Sequence, residues 1–294
     1  MIKVVSKILV SMMLMSPVAL AQKPVEPATE KSAGKKAGKS AEKATEKNDK
    51  KDSEKKDELT QAQADEIIKL VDDRQRNSGD YKSLVFVKET EKNKEPRLFQ
   101  AMVYRRDEDD KFMILFTKPK EEAGKAYLKI DKNLWNYDPG TGKWERRTER
   151  EKLAGTNSRR SDFDESRLTL EYTTQYEGSD KLGNYKVYKF KLTGKEGVDV
   201  AYPVLKMWVD QADKNILKRE EYALSGKLMR SSFYPKWNKK FSPSKKGDVW
   251  IPEEIRIFDE LEKGNSTIVL IKDTDLGKLE ENMFTKAWIE SKSK

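Results

Sequence analysis

The chain has 294 residues, 38% of them charged, a formal net charge of +9, and neither cysteine nor histidine. Without cysteine there is no thiol nucleophile, no disulfide, no thiolate metal site and no point for lipid acylation. Without histidine the commonest general base and transition-metal ligand are missing, which argues against an enzyme and against a cofactor-dependent one in particular. The lysine excess is spread along the chain rather than gathered in one basic block with interleaved aromatics, so no nucleic-acid partner is expected.

Residues 1–21 read MIKVVSKILVSMMLMSPVALA. Lys3 and Lys7 form a basic start, Ile8 to Leu14 an apolar centre, and Ala19-Leu20-Ala21 a small-residue cleavage pattern, which together predict a cleavable signal peptide and a periplasmic protein. The apolar run falls short of the roughly 20 residues that span a bilayer. Residues 22–58 change character: lysine, glutamate and alanine dominate and aromatics are absent. Such a segment cannot bury enough apolar surface to offset its ordering entropy, so it is expected to be a disordered linker or spacer.

Residues 59–294 carry the pattern of one large domain. Thr60 is placed to cap a helix over QAQADEIIKLVDDRQRN, whose Ala64, Ile67, Ile68 and Val71 form one apolar stripe. Thirteen strand-like segments follow. The first three are YKSLVFVKET, RLFQAMVYRRD and KFMILFTKP; then come KAYLKID, NLWNYDP, KWERRT and LTLEYTTQYE. NYKVYKFKLT, YPVLKMWVD, ILKREEYAL, KLMRSSFYP, WIPEEIRIFDE and STIVLIKDTDL complete the set. Short polar turns such as DPGTGK and DQADKN join them, which predicts a mainly β, α+β fold built on one long curved antiparallel meander or an open barrel. In KFMILFTKP both faces are apolar, so that strand needs cover on both sides. SDFDESRL, capped by Ser161 or Asp162, reads as a short helix between strands.

The run P-x4-G-x2-YLKID-x2-LWNYDP from Pro119 to Pro139, the SDF block with Leu168, and the late Trp250-Ile251-Pro252 and Asn282-Met283-Phe284-Thr285 segments resemble one known family. It is that of the outer-membrane lipoprotein-sorting proteins, relatives of the periplasmic lipoprotein carrier, and the resemblance covers roughly residues 81–279. It implies an incomplete antiparallel barrel with a few helices closing its concave face. It further implies a periplasmic carrier or chaperone that binds lipid, or the acyl chains of lipoproteins, for transport toward the outer membrane. Its partners would be an acylated lipoprotein cargo, an inner-membrane exporter and an outer-membrane acceptor, with the carrier itself a monomer. The alternative function is a sensor or accessory subunit of an envelope stress or export system on the same fold; a carboxylate hydrolase is a third.

Phe99, Met102, Phe112, Ile114, Phe116, Leu128, Met207 and Val209 suit either the wall of a hydrophobic ligand cavity or a packed core, because both have the same composition. Trp135 and Phe163 join this set, Phe163 as a plug for the concave face. Tyr137 reads as the ordinary core of a hairpin with Pro139-Gly140 as its turn, Trp135 fits that core as well as a cavity wall, and Trp144 is a further aromatic that could line or gate a cavity. Arg146, Arg159, Arg160 and Asp162 are candidate lid or head-group residues, or else part of a solvated charged face. Asp131, Asp138, Asp162 and Asp164 match no calcium-loop spacing, so no metal site is expected.

Overall fold

The computed structural model describes residues 58–76, 79–130, 133–147, 156 and 166–293. The expected signal peptide, the linker up to residue 57, and Arg159, Arg160, Ser161, Asp162 and Phe163 lie outside the described residues.

Helix α1 spans Gln61–Arg76. It starts in a capping box: Thr60 Oγ1 accepts the N–H of Gln63 at 3.3 Å, and Gln63 Oε1 accepts that of Thr60 at 2.9 Å. The reciprocal pair satisfies two backbone donors that a helix start leaves without partners. The stripe read from the sequence is the buried face: Ala64, Ile67, Ile68 and Val71 all sit in the core.

The chain then lays down β1 (Asp80–Thr90), β2 (Arg97–Arg106), β3 (Lys111–Lys118), β4 (Ala126–Ile130), β5 (Asn133–Asp138) and β6 (Lys143–Arg147). A one-turn helix α2 (Leu168–Glu171) precedes β7 (Tyr172–Leu182), β8 (Tyr185–Gly194), β9 (Val204–Asp210) and β10 (Ile216–Tyr222). β11 (Leu228–Ser242), β12 (Gly247–Asp259) and β13 (Ser266–Asp275) follow, and α3 (Lys286–Lys292) ends the described chain. All thirteen strands form a single open sheet in the order β6-β5-β4-β3-β2-β1-β13-β12-β11-β10-β9-β8-β7. The architecture is thus two antiparallel meanders joined where β1 pairs with β13, Val85 opposite Ile271 and Val87 opposite Val269. The curved, unclosed sheet matches the expected fold, with one difference in topology: the meander is interrupted, because the chain leaves β6 at one edge and re-enters at β7 on the other.

Three local expectations are corrected. LTLE, expected to open a strand, is the helical turn α2, with the buried Leu168 turned into the core beside α1. β11 does not stop at Pro235 but runs on to Ser242. Proline has no N–H to give the ladder, and the register shift between Phe233 and Lys236 accommodates it there. The C-terminal segment, read without a helix, forms α3, capped by Thr285, whose side chain accepts the N–H of Trp288.

That last helix explains the two-sided strand. On one face of β3, Phe112, Ile114 and Phe116 pack with Val85, Phe99 and Tyr127. On the other, Met113 and Leu115 pack with Leu128, Phe284 and Ile289. Gly124, in the turn before β4, lies against the C-terminal residues: a Cβ there would lie 2.8 Å from the carbonyl oxygen of Ser293, and its φ of +84° is a region that L side chains rarely adopt. Among the described residues no helix is long and apolar enough to cross a membrane.

Candidate functional site

Side chains alternate between the two faces of a strand, so the pairing registers define the concave face. Starting at Tyr127, the partners run through Ile114 and Val103 on β3 and β2, then Ala101 opposite Val85. From Val85 the face continues through Ile271, and from Val269 through Ile255. It passes from Ile257 to Ser232, from Ser232 to Arg219, then through Met207 to Phe190. One surface therefore crosses the sheet, but it is filled differently at its two ends. Helix α1 covers the β8–β10 end, where Phe190, Met207 and Val209 are fully buried. Over the middle lies a cavity of about 390 Å³.

The cavity floor is apolar. β1 gives Val85 and Val87, β2 gives Phe99, Ala101 and Val103, and β3 gives Phe112, Ile114 and Phe116. β12 and β13 add Ile255, Ile257, Val269 and Ile271. Phe116 holds two edge-to-face contacts, with Phe99 at 6.0 Å and with Tyr127 at 6.2 Å between centroids, which fixes its ring as wall rather than leaving it free to fill the space. Val71 and Arg74 of α1, with Thr156, Ser166 and Leu168, contribute to the lining from outside the sheet.

Toward β10 and β11 the lining turns polar. Glu221 is shared by two guanidiniums: Arg230 donates to both of its carboxylate oxygens, at 2.9 Å to Oε1, and Arg219 Nη2 lies 2.6 Å from Oε1. Glu221 and Arg230 are almost wholly buried, Arg219 largely so. The Arg230 guanidinium also lies over the Tyr202 ring at 5.7 Å. Tyr172 donates its hydroxyl to the carbonyl oxygen of Tyr202 at 3.0 Å. Burial first, and the negative Glu171 second, push the Tyr172 phenol up to about 12, so it stays a neutral hydrogen-bond donor at any ordinary pH.

Of the sequence candidates, Phe99, Phe112, Ile114 and Phe116 line the cavity. Met102, Leu128 and Trp135 do not, because strand parity puts them on the convex face: Met102 pairs with Leu115, and Leu128 lies between Met113 and Trp135. There α3 packs over Leu128 and Trp135, with Ile289 in the same cluster as Leu128 and the Lys286 ammonium 3.8 Å from the Trp135 ring centroid. Met207 and Val209 face the concave side but lie under α1 as packed core. Arg146 pairs with Trp135 in register and is exposed. Tyr137 is buried in the convex cluster, as the hairpin-core reading expects, with the Trp144 ring tilted against it at 4.9 Å between centroids. Phe163, Arg159, Arg160 and Asp162 lie outside the described residues.

Sequence reading missed the β12 and β13 floor and the polar cluster. Ile255 and Ile257, and Val269 and Ile271, recur at a spacing of two and gave a usable signal. Glu221 and Arg230 gave none, since LKREEY presents charge at four adjacent positions and reads as a solvated strand. Among the described residues no group of three or more acidic side chains is placed to hold a metal ion. What the arrangement can do chemically is sequester an apolar group beside buried charge.

Comparison with known proteins supports this architecture. Among curated proteins nothing matches the chain. Among solved structures it is similar to a LolA-superfamily protein from Nitrosomonas europaea, at 22% identity and a TM-score of 0.62, over 76% of this chain and 98% of that one. It is similar to a putative outer-membrane lipoprotein-sorting protein domain from Vibrio parahaemolyticus, at 19% identity and a TM-score of 0.67, over 79% and 100% of the two chains. A DUF1329 family protein from Desulfovibrio piger aligns at 16% identity and a TM-score of 0.67, over 77% and 97%. Residues 108–291, more than half of the chain, match the model of a family described as "-like: Uncharacterized protein". The chain therefore belongs to this DUF1329-like family, and its fold is that of the LolA superfamily and its lipoprotein-sorting domains.

Proposed function

We propose that the protein is a periplasmic carrier that buries a lipid, or the acyl chains of a lipoprotein, in the concave cavity and moves it toward the outer membrane. The observation that carries this reading is the contrast between the two ends of one face. Where α1 lies, Met207 and Val209 are packed to full burial. Over β1–β3 and β12–β13, equally apolar side chains border about 390 Å³ of space. Protein interiors pack like organic crystals with few voids larger than a water, whereas ligand pockets run to roughly 300–1,000 Å³ with mainly apolar walls. Burial in such a site is worth about 0.8 kcal/mol per CH₂, enough for useful affinity from a partly inserted chain. Release then requires an acceptor that offers the chain a comparable apolar environment. On this reading the donor is an inner-membrane partner and the acceptor an outer-membrane one.

The test is lipid extraction and native mass spectrometry of the full chain purified gently from a bacterial periplasm, followed by uptake of fluorescent cis-parinaric acid by the delipidated protein. Bound lipid or acylated peptide that leaves on addition of acceptor membranes supports the carrier. A bare, folded protein that takes up no dye would sink it and favour a sensor or accessory subunit that works through protein contacts alone.

A further inference from the structure

Strands β11 and β12 outrun their neighbours. β10 pairs with β11 only as far as Lys218 opposite Phe233, and β13 pairs with β12 only as far as Glu254 opposite Leu270. The β11–β12 pairing continues alone to Ser242 opposite Gly247, so the residues between form a two-stranded arm. Cross-strand partners share a face, which puts Trp237 with Pro252, Lys239 with Trp250, and Phe241 with Asp248 on one side of the arm. Trp237, Trp250 and Pro252 line the cavity. The same face runs on to Phe241, which lies beyond the lining and is 63% exposed. The other face carries the buried Ile251 and Ser242 and ties the arm to the body, where Lys240 Nζ donates to the carbonyl oxygen of Thr274 at 2.9 Å. At the root, Trp237 Nε1 donates to the carbonyl oxygen of Ile216 at 2.9 Å, and Arg74 lies over the Trp250 ring at 6.0 Å. The arm is therefore a fixed projection rather than a loose hairpin. Its sequence from Lys236 to Trp250 holds five lysines and one aspartate. Lys239 and Asp248 pair at 3.1 Å, and Lys236 meets Glu253 at 2.5 Å. Lys245 and Lys246 are exposed in the turn that ends the arm.

A single exposed apolar side chain is ordinary. Here the exposed ring ends an aromatic face that starts inside the cavity, and lysines stand at the tip beside it. Aromatic rings flanked by lysine suit the headgroup layer of a bilayer, where the ring takes the apolar side and the ammonium meets phosphate. An anionic leaflet attracts each basic side chain that comes near its surface. We infer that the β11–β12 arm docks on an anionic phospholipid surface, with Phe241 in the headgroup layer and Lys245 and Lys246 against the phosphates. The face of Trp237 and Trp250 then joins the membrane to the cavity. The docking goes beyond the carrier reading and does not depend on what the cavity holds.

The chain has no cysteine, so one environment-sensitive label can be placed at a chosen position. Phe241→Cys and Leu224→Cys, each in the full chain, are labelled with nitrobenzoxadiazole, which at position 241 stands in for the ring it replaces. Leu224 is 87% exposed and precedes β11, at the opposite end of that strand from Phe241. On vesicles of phosphatidylglycerol and phosphatidylcholine in equal parts, the label at 241 is expected to brighten and shift to the blue, while the label at 224 keeps its aqueous emission. Pure phosphatidylcholine vesicles should leave both labels in water. Lys245→Glu combined with Lys246→Glu is expected to weaken vesicle partition at least about tenfold, since each lysine near an anionic surface contributes roughly fivefold. Both side chains are exposed, so the unfolding midpoint should not move. An equal response to phosphatidylcholine alone would overturn the anionic assignment. A blue shift at 224 instead of 241 would mean that the opposite end of the sheet docks, and would overturn the inference. Vesicle binding with the label at 241 still in water would place the attraction in the lysine-rich residues 22–58 and overturn it as well. Absence of any partition would overturn the docking and leave dye uptake, and with it the carrier reading, untouched.

Discussion

The carboxylate of Asp72, on α1, accepts the backbone N–H of Leu168 at 3.0 Å, although the two residues lie 96 positions apart in the chain. The same carboxylate accepts the N–H of Thr169 at 3.1 Å, the Thr169 hydroxyl at 2.8 Å and the Ser166 hydroxyl at 2.5 Å. The one-turn helix α2 has no capping side chain of its own, since its N-cap is Arg167. Asp72 takes that place from another element, satisfying the orphan donors of the helix start and placing negative charge at its positive end. This one residue fastens α1 to the chain segment that borders the cavity at Ser166, Arg167 and Leu168.

Asp72→Ala should therefore cost about 2–4 kcal/mol, from the lost cap and from buried donors left without acceptors. The effect should depend on pH with a definite sign. Burial alone would raise the Asp72 carboxyl, but the hydrogen bonds from Ser166, Thr169 and Leu168 outweigh it and hold the group below its ordinary value of 3.8. A carboxyl depressed in the folded state stabilises fully above its unfolded value and loses that contribution as pH falls through its folded one. Urea unfolding of wild type and variant at pH 7 should show the full difference. The gap should narrow as the pH is lowered below about 4. A gap that stays constant down to pH 3 would mean that Asp72 is not the group that titrates.

A second long-range carboxylate sits at the start of β1, in the middle of the sheet. Asp80, the first residue of β1, accepts the N–H of Leu279 at 2.7 Å and lies 3.4 Å from Arg106 Nε. Arg106 also donates to the carbonyl oxygen of Leu279 and lies over the Phe284 ring at 5.5 Å. Breaking one partner of a buried pair leaves the other charge stranded, at a cost of roughly 3–5 kcal/mol. Asp80→Ala should thus loosen the C-terminal segment before it unfolds the sheet. Limited proteolysis is expected to release the residues beyond Leu279 early in the variant and late in the wild type. Cleavage at equal rates would show that α3 is held by its apolar contacts alone.

These two anchors mark where sequence reading stops. The strand pattern was legible because alternation is local: all thirteen strands, and the helix with its Thr60 cap, follow from spacing within a dozen residues. The two-sided burial of Phe112 to Phe116 was legible as a requirement for cover, but not as α3, because KAWIESK is short and carries one buried residue, Ile289. Asp72, Asp80 and Glu221 are ordinary acidic residues in polar surroundings, and their partners lie far away in sequence or across a strand pair. The cavity set was half legible. Phe99 and Met102 look alike in composition, and only the register, which puts one on each face, separates wall from core.

Glu221 should be more critical than its surface-like sequence suggests. Replacing it with glutamine removes the negative charge that Arg219 and Arg230 share and leaves two guanidiniums close together in a buried wall. The expected loss is about 3–5 kcal/mol by thermal or urea unfolding. Glu254→Gln, on an exposed pair with Arg256, should change stability by less than about 1 kcal/mol. Similar effects from both substitutions would deny Glu221 its special position.

The last prediction separates wall from core directly. Ile255 is only partly buried and borders the cavity, so there is room for a larger ring at that position. Ile255→Trp should fill much of the space at little cost, because overpacking costs its usual 1–3 kcal/mol or so only where no void exists. Dye uptake should fall by about tenfold or more, while the unfolding midpoint moves little. Met207→Ala should do the reverse. Met207 lies on the same face but fully buried under α1, so truncation opens a hole that nothing fills and should cost about 2–5 kcal/mol. The molecules that remain folded should still take up dye with wild-type affinity. If instead Ile255→Trp destabilises the protein as much as Met207→Ala does, the space over β12 and β13 behaves as core, and the carrier reading loses the observation on which it stands.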